Sequence, residues 1–145
     1  MNEPQVSQQE LARLVAEIET NPTEALSALC AAVKKQAARE IVLELVENRA
    51  PVYAALESPD PKARKNAARL LGALESGSDA PALIAALNRE ETRFVVPSIL
   101  LALGSVGGAE AQTALLAYAA PEAMDESEQK HVLEIRASLE KARAS

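Results

Sequence analysis

Apolar residues recur at helical spacing along most of the chain and alternate with short polar segments that carry proline, glycine or a capping residue. The capping pairs are Ser7 with Glu10 and Asn21 with Glu24, and Asp60-Pro61 is a similar helix start. The pattern predicts helices near residues 8–19, 22–33, 36–48, 50–57, 61–75, 79–89, 93–105, 109–120 and 126–143. One apolar face continues through residues 34–36, so a single helix over residues 22–48 is an alternative.

An internal repeat organises these helices. Residues 35–39 read Lys-Gln-Ala-Ala-Arg and residues 65–69 read Lys-Asn-Ala-Ala-Arg, and a further copy at a shift of 32 aligns Leu71 with Leu103 and Gly72 with Gly104. One helix pair cannot cover its own apolar face, so neighbouring pairs must stack and share a core. The sequence therefore predicts an all-α, right-handed α-solenoid of stacked antiparallel helix pairs, with about nine helices.

Composition narrows the fold further. Aromatic residues make up 2% of a chain that is 48% apolar, so the core must consist of Ala, Leu, Val and Ile. No apolar run reaches the roughly 20 residues that span a bilayer, and the polar amino terminus does not resemble a signal peptide. We expect one domain over residues 1–145, in the cytoplasm and without a membrane partner.

The chain lacks the residues that the common catalytic and metal sites require. His131 and Cys30 are the single histidine and the single cysteine, so neither a two-histidine zinc site nor a cysteine cluster is expected. The glycines are predicted at helix ends and turns rather than in a phosphate loop: Gly72, Gly77, Gly104, Gly107 and Gly108. We expect a non-enzyme with no cofactor and no metal.

The middle of the chain resembles a HEAT-like repeat of the type shared with phycobilin lyases. The resemblance lies in Asp60-Pro61-Lys62-Ala63-Arg64, Ala67-Ala68, residues 70–74 and residues 82–87. It implies first helices on an outer face and second helices on an inner, ligand-facing one. It also implies a polar ladder between repeats through Asp60 and Arg64, which Thr92 and Val96 are expected to interrupt in the next copy.

The inner face is expected to carry small and weakly polar side chains that contact a partner. Its candidate residues are Tyr53, Ala85, Asn88, Thr113, Ala117 and Tyr118. Tyr118 is the strongest candidate, because the other copies have alanine there. The alternative is that the second helices pack against one another and leave no site.

Charge is uneven along the chain. Residues 34–69 hold eight Lys or Arg and five Asp or Glu, a local net charge of +3 within a chain of net charge −6. A candidate patch for phosphates or an acidic partner comprises Lys35, Arg39, Lys62, Arg64, Lys65 and Arg69, on two first helices expected to be neighbours. The alternative is a solvated surface, and the overall charge argues against a dedicated nucleic-acid binder.

Two hypotheses for function follow. The first is a non-catalytic interaction module that binds a protein partner on the inner face. The second is an accessory substrate-recognition domain of a larger enzyme, either phycobilin lyase-like or nucleic-acid-modifying, such as a methyltransferase. An apolar stripe of Val132, Ile135, Leu139 and Ala142 favours a chain that continues as the amino-terminal domain of a longer protein. The alternative is that this stripe belongs to an ordinary capping helix.

Overall fold

A computed structural model describes residues 8–118, with only the backbone described at Gln36, Ala37 and Tyr118. Within this range the protein is helical and contains no strand. Its eight helices are α1 (Gln8–Glu17), α2 (Pro22–Val33), α3 (Gln36–Leu45), α4 (Ala50–Leu56), α5 (Pro61–Leu74), α6 (Ala80–Arg89), α7 (Val96–Val106) and α8 (Ala109–Tyr118). The prediction of an all-α solenoid is confirmed, whereas the expected helix over 126–143 and its stripe lie outside the described residues.

The segment over residues 22–48 forms two helices rather than one. Lys34 ends α2 in a helical conformation, and Lys35 then has the extended torsions φ −91° and ψ 120°. The chain therefore turns between the two lysines, although the apolar periodicity passes through them without interruption.

Three helices form a contiguous layer in the order α2, α5, α7, because α5 packs against α2 on one side and against α7 on the other. Helices α1 and α3 contact α2 and each other, α4 contacts α5, and α6 and α8 contact α7 and each other. The helix that precedes α5 in this layer is thus α2. The similarity of residues 35–39 to residues 65–69 predicted α3 in that place, and this prediction is wrong.

The core consists of small and medium aliphatic side chains. Leu71, Leu83, Leu103 and Leu115 are fully buried, and each comes from a different helix of the last two repeats. These are the residues that the shift of 32 places on the shared face, so the repeat register is confirmed for residues 61–115.

Two glycines lie inside helices instead of at their ends, which corrects the prediction for Gly72 and Gly104. Gly72 is buried within α5 and faces Ala102 of α7 so closely that an added side chain would require Ala102 to shift. Gly107 and Gly108 do form a turn, which connects α7 to α8 and in which both residues have positive φ angles, 68° and 92°.

Helix α5 begins with the capping interaction that its sequence predicts. The Asp60 carboxylate accepts a hydrogen bond from the backbone N–H of Lys62 at 3.0 Å, and Pro61 occupies the first turn. At the start of α2, Asn21 makes no such bond to the backbone and instead donates to Glu24 at 3.1 Å. Ser7 lies outside the described residues.

Candidate functional site

A shallow groove runs between α6 and α8, the two helices that the family resemblance places on the inner face. Its volume is about 410 Å³, and its lining is mainly apolar: Ile84, Ala109, Glu110, Thr113, Ala114 and Ala117. Thr113 and Ala117 are exposed, whereas Ile84 and Ala114 are half-buried and form its apolar floor. Because the described side chains that line the groove include no aromatic ring, a partner backbone can approach closely.

The six sequence-predicted contact residues are distributed over more than this groove. Thr113 and Ala117 line it, while Ala85 and Asn88 are exposed elsewhere on α6. The backbone of Tyr118 continues α8 directly after Ala117, and its side chain lies outside the described residues. Ile84 was not among the predicted contact residues, although it also lines the groove.

Tyr53, on α4, belongs to a buried polar cluster. Its hydroxyl donates a hydrogen bond to Asp79 Oδ1 at 2.6 Å. Burial, this hydrogen bond and the negative charge of Asp79 raise the pKa of Tyr53 to about 12, although the nearby charge of Arg49 opposes the shift. The hydroxyl is therefore occupied within the chain, and the exposed part of the ring remains for any partner.

Asp79 is fully buried at the start of α6 and holds this cluster together. Arg49 Nε donates to both of its carboxylate oxygens, at 3.0 and 3.2 Å, and an Arg49 terminal nitrogen donates to the carbonyl of Val46. The cluster joins the start of α4 to the start of α6, and thus connects two consecutive repeats. The helix-start sequence Asp79-Ala80-Pro81 suggests a capping residue, but Asp79 makes no side-chain capping bond, so the sequence did not identify this cluster.

Arg64 makes a second connection between repeats. Its guanidinium donates to both oxygens of Glu90, at 2.9 and 3.0 Å, to the carbonyl of Ser58 at 2.7 Å and to Thr92 Oγ1 at 3.1 Å. Burial opposes ionisation of Glu90, but the hydrogen bonds from Arg64 and from the Thr92 amide, with the charge of Arg64, hold its pKa below the usual range. Hydrogen bonding to Glu90 in turn raises the pKa of Arg64.

The polar ladder therefore extends one step further than the sequence predicted, whereas the predicted interruption remains at Val96, which offers no polar side chain. Glu90 supplies the carboxylate that position 92 lacks, and Thr92 itself accepts a bond from Arg64. On the other side of α5, Thr23 donates to Asp60 at 2.8 Å. This bond and the one from the Lys62 amide lower the pKa of Asp60.

Two of the six cations of the expected basic patch are engaged within the chain. Arg39 donates to Glu75 at 3.3 Å and to the carbonyl of Leu74 at 3.1 Å, and Arg64 is engaged with Glu90. Lys35 is exposed at the turn between α2 and α3. The three remaining cations, Lys62, Lys65 and Arg69, all belong to α5.

Residues 8–118 contain no group of three or more His, Cys, Asp or Glu side chains arranged to hold a metal ion, and Cys30 is buried. None of the helices within that range has the length and apolar character that a bilayer span requires.

No curated protein and no solved structure matches the chain significantly. A family model described as HEAT repeats matches residues 49–129, which is more than half of the 145 residues. The match begins before α4 and contains both connections between repeats, Arg49 with Asp79 and Arg64 with Glu90. The chain therefore belongs to the HEAT-repeat family.

Proposed function

We propose that this protein is a non-catalytic interaction module that binds a protein partner on its inner helical face. HEAT repeats commonly serve as protein-interaction scaffolds. The observation that carries the proposal is the groove of about 410 Å³ between α6 and α8, because its small side chains suit close approach by a partner helix.

The groove divides into a floor and a rim with different chemistry. Ile84 and Ala114 offer apolar surface, while Thr113 and Glu110 place polar groups at the edge. A partner helix with an apolar stripe and one basic or hydroxyl side chain fits this arrangement. Helices α6 and α8 contact each other and still leave the groove open, which favours a binding site over a surface consumed by packing between the inner helices.

The proposed contact surface extends beyond the groove along α6 and at the end of α8. Ala85 and Asn88 lie on the exposed side of α6, and Tyr118 follows the groove residue Ala117. Tyr53 takes part through its ring, because Asp79 occupies its hydroxyl.

Affinity capture with the whole chain tests the proposal. The bait carries Thr113→Arg or Ala117→Arg, each of which places a long cation in the groove without disturbing a buried side chain. Ala31→Arg is the matched control, since Ala31 is an exposed alanine on α2. We expect one protein to be retained by the unchanged chain and by the control, and to be lost from both groove variants. Equal retention by all four baits would contradict the proposal.

The proposal includes the finer assignment to repeats of the phycobilin lyase type and a cytoplasmic location. Its alternative is an accessory substrate-recognition domain of a larger enzyme, of that type or nucleic-acid-modifying, such as a methyltransferase. In that case the groove would hold another domain of the same polypeptide. Determining whether the natural reading frame continues beyond Ser145 into a catalytic domain separates the two, because the interaction module requires a partner encoded by another gene.

A further inference from the structure

We propose that the outer face of α5 and α7 is a second interaction surface, which binds an acidic amphipathic segment of a partner protein. Lys62, Lys65 and Arg69 provide its charge, and Phe94 and Leu101 provide its apolar contacts. We refer to these five residues as the outer patch. It is separate from the inner groove, so the proposal does not depend on that groove being a binding site.

The repeat register places the two kinds of side chain next to each other. The shift of 32 that aligns Leu71 with Leu103 also aligns Lys62 with Phe94 and Arg69 with Leu101. Because α5 and α7 pack side by side, equivalent positions are neighbours on the same face. A direct contact supports this placement: Lys65 Nζ lies over the Phe94 ring, 6.0 Å from its centroid.

The apolar part of the outer patch is unusually accessible. Phe94 is 48% exposed and Leu101 is 47% exposed, and they account for two of the three large apolar side chains exposed within residues 8–118. The third, Leu116, belongs to α8. Covering Phe94 and Leu101 would remove apolar surface from water, which is the main source of affinity in a protein interface.

The cations of the outer patch remain available to bind an anionic partner. The ion pairs found among the described residues use Arg39, Arg49 and Arg64, and none of them uses Lys62, Lys65 or Arg69. The charge of Lys62 is one of the causes that lower the pKa of Asp60. The Asp60 carboxylate in turn offsets part of the charge of Lys62. Lys65 and Arg69 are therefore the principal anion contacts.

The spacing of the apolar residues favours a peptide over a nucleic acid. Leu101 is an aliphatic side chain, on which bases do not stack, and Phe94 lies in the turn that precedes α7, seven residues before Leu101. The chain's net charge of −6 repels an extended polyphosphate, whereas a short acidic segment meets only the local cations. The expected ligand is a helical segment with apolar side chains along one face and carboxylates beside them.

A defined probe allows a direct test with the full chain. The probe is a fluorescent synthetic peptide with leucines at helical spacing and glutamates elsewhere, and binding is followed by fluorescence anisotropy. We expect saturable binding that weakens as salt is added, because part of it is electrostatic. Lys65→Glu with Arg69→Glu, and separately Leu101→Ser, should each weaken binding at least about tenfold.

The matched control is Lys34→Glu with Lys35→Glu, which makes the same change in net charge at an exposed turn outside the outer patch. It should retain the affinity of the unchanged chain, as should the groove variant Ala117→Arg. Thermal unfolding of each variant confirms that it is folded. Lack of saturable binding by the unchanged chain, or an equal loss in the control, would overturn the proposal. Tighter binding of a labelled single-stranded oligonucleotide through the same residues would also overturn it, in favour of a nucleic-acid surface.

Discussion

Gly72 of α5 lies against Ala102 of α7 so closely that a Cβ on Gly72 would be 3.0 Å from the Ala102 Cα and 3.2 Å from its Cβ. Gly72→Ala should therefore destabilise the protein. Alanine favours the helix by roughly 1 kcal/mol relative to glycine, but separating two packed helices costs about 1 to 3 kcal/mol. Urea unfolding, followed by circular dichroism, should show a net loss.

Gly77→Ala is the control for this prediction. Gly77 is exposed, and the nearest atom to its added Cβ would be the Val106 carbonyl oxygen at 3.8 Å, an ordinary contact distance. Its free energy of unfolding should change by less than about 0.5 kcal/mol. A Gly72→Ala protein more stable than the unchanged chain would show that α5 and α7 are not in such close contact.

The shared core makes a second prediction. Leu71→Ala and Leu103→Ala should each lower the free energy of unfolding by about 2 to 5 kcal/mol, because both side chains are fully buried and leave cavities. Leu101→Ala, at an exposed position on α7, should cost less than about 0.5 kcal/mol. Similar losses at Leu101 and Leu103 would mean that the helix register is wrong.

The helices and their buried faces were predictable because each is determined locally. A periodicity of apolar residues specifies which side of a helix is buried, and the shift of 32 extends that assignment from Leu71 to Leu103. The close approach at Gly72 was not predictable, because glycine also occurs at helix ends, and the distinction depends on the position of Ala102 in another helix.

The neighbours of each helix were harder to predict than the helices themselves. The similarity of residues 35–39 to residues 65–69 covers five positions, and it suggested that α3 adjoins α5. The turn at Lys35 instead directs α3 across α1 and α2. Likewise, Glu90 stands two positions before the residue equivalent to Asp60, so alignment of the repeats did not identify it as the partner of Arg64.

In the candidate site, sequence equivalence identified Thr113 and Ala117 because both follow from the helical position of Pro81 and Ala85 in the previous repeat. It did not identify Ile84, whose side chain lies between core and groove. The groove exists because of the distance between α6 and α8, which no pattern within one helix determines.

The buried cluster at Asp79 makes a third prediction. Asp79→Ala should cost about 3 to 5 kcal/mol, because it leaves the largely buried guanidinium of Arg49 without its carboxylate. Tyr53→Phe removes one hydrogen bond and should cost about 1 kcal/mol. Chemical denaturation of both variants gives these values, and equal losses would contradict the central place of Asp79.

Tyr53 also predicts a change in stability at alkaline pH. Its folded pKa of about 12 exceeds the ordinary tyrosine value of about 10, so the folded state favours the neutral phenol. The stabilisation is fully present below about pH 10 and is lost as the pH rises towards the folded value. The stability difference between the unchanged chain and Tyr53→Phe should therefore shrink above about pH 10. A difference that is constant with pH would show that the phenol is not held in its neutral form.

The final prediction concerns acid stability and the bond between Arg64 and Glu90. The Glu90 side chain is 3% exposed, and its pKa lies below the usual range, so the folded state favours the carboxylate. The stabilisation from this group is present above the ordinary glutamate pKa of about 4.3 and is lost as the pH falls through the lower, folded value.

Glu90→Gln should cost about 1 to 3 kcal/mol near neutral pH, because an amide cannot accept both bonds from Arg64. In acid the two proteins should converge in stability. Glu91→Gln, at an exposed position in the same loop, should follow the unchanged chain at every pH. Denaturant unfolding at a series of pH values measures all three proteins, and a constant difference between Glu90→Gln and the unchanged chain would show that Glu90 ionises no more readily in the folded state than in the unfolded one.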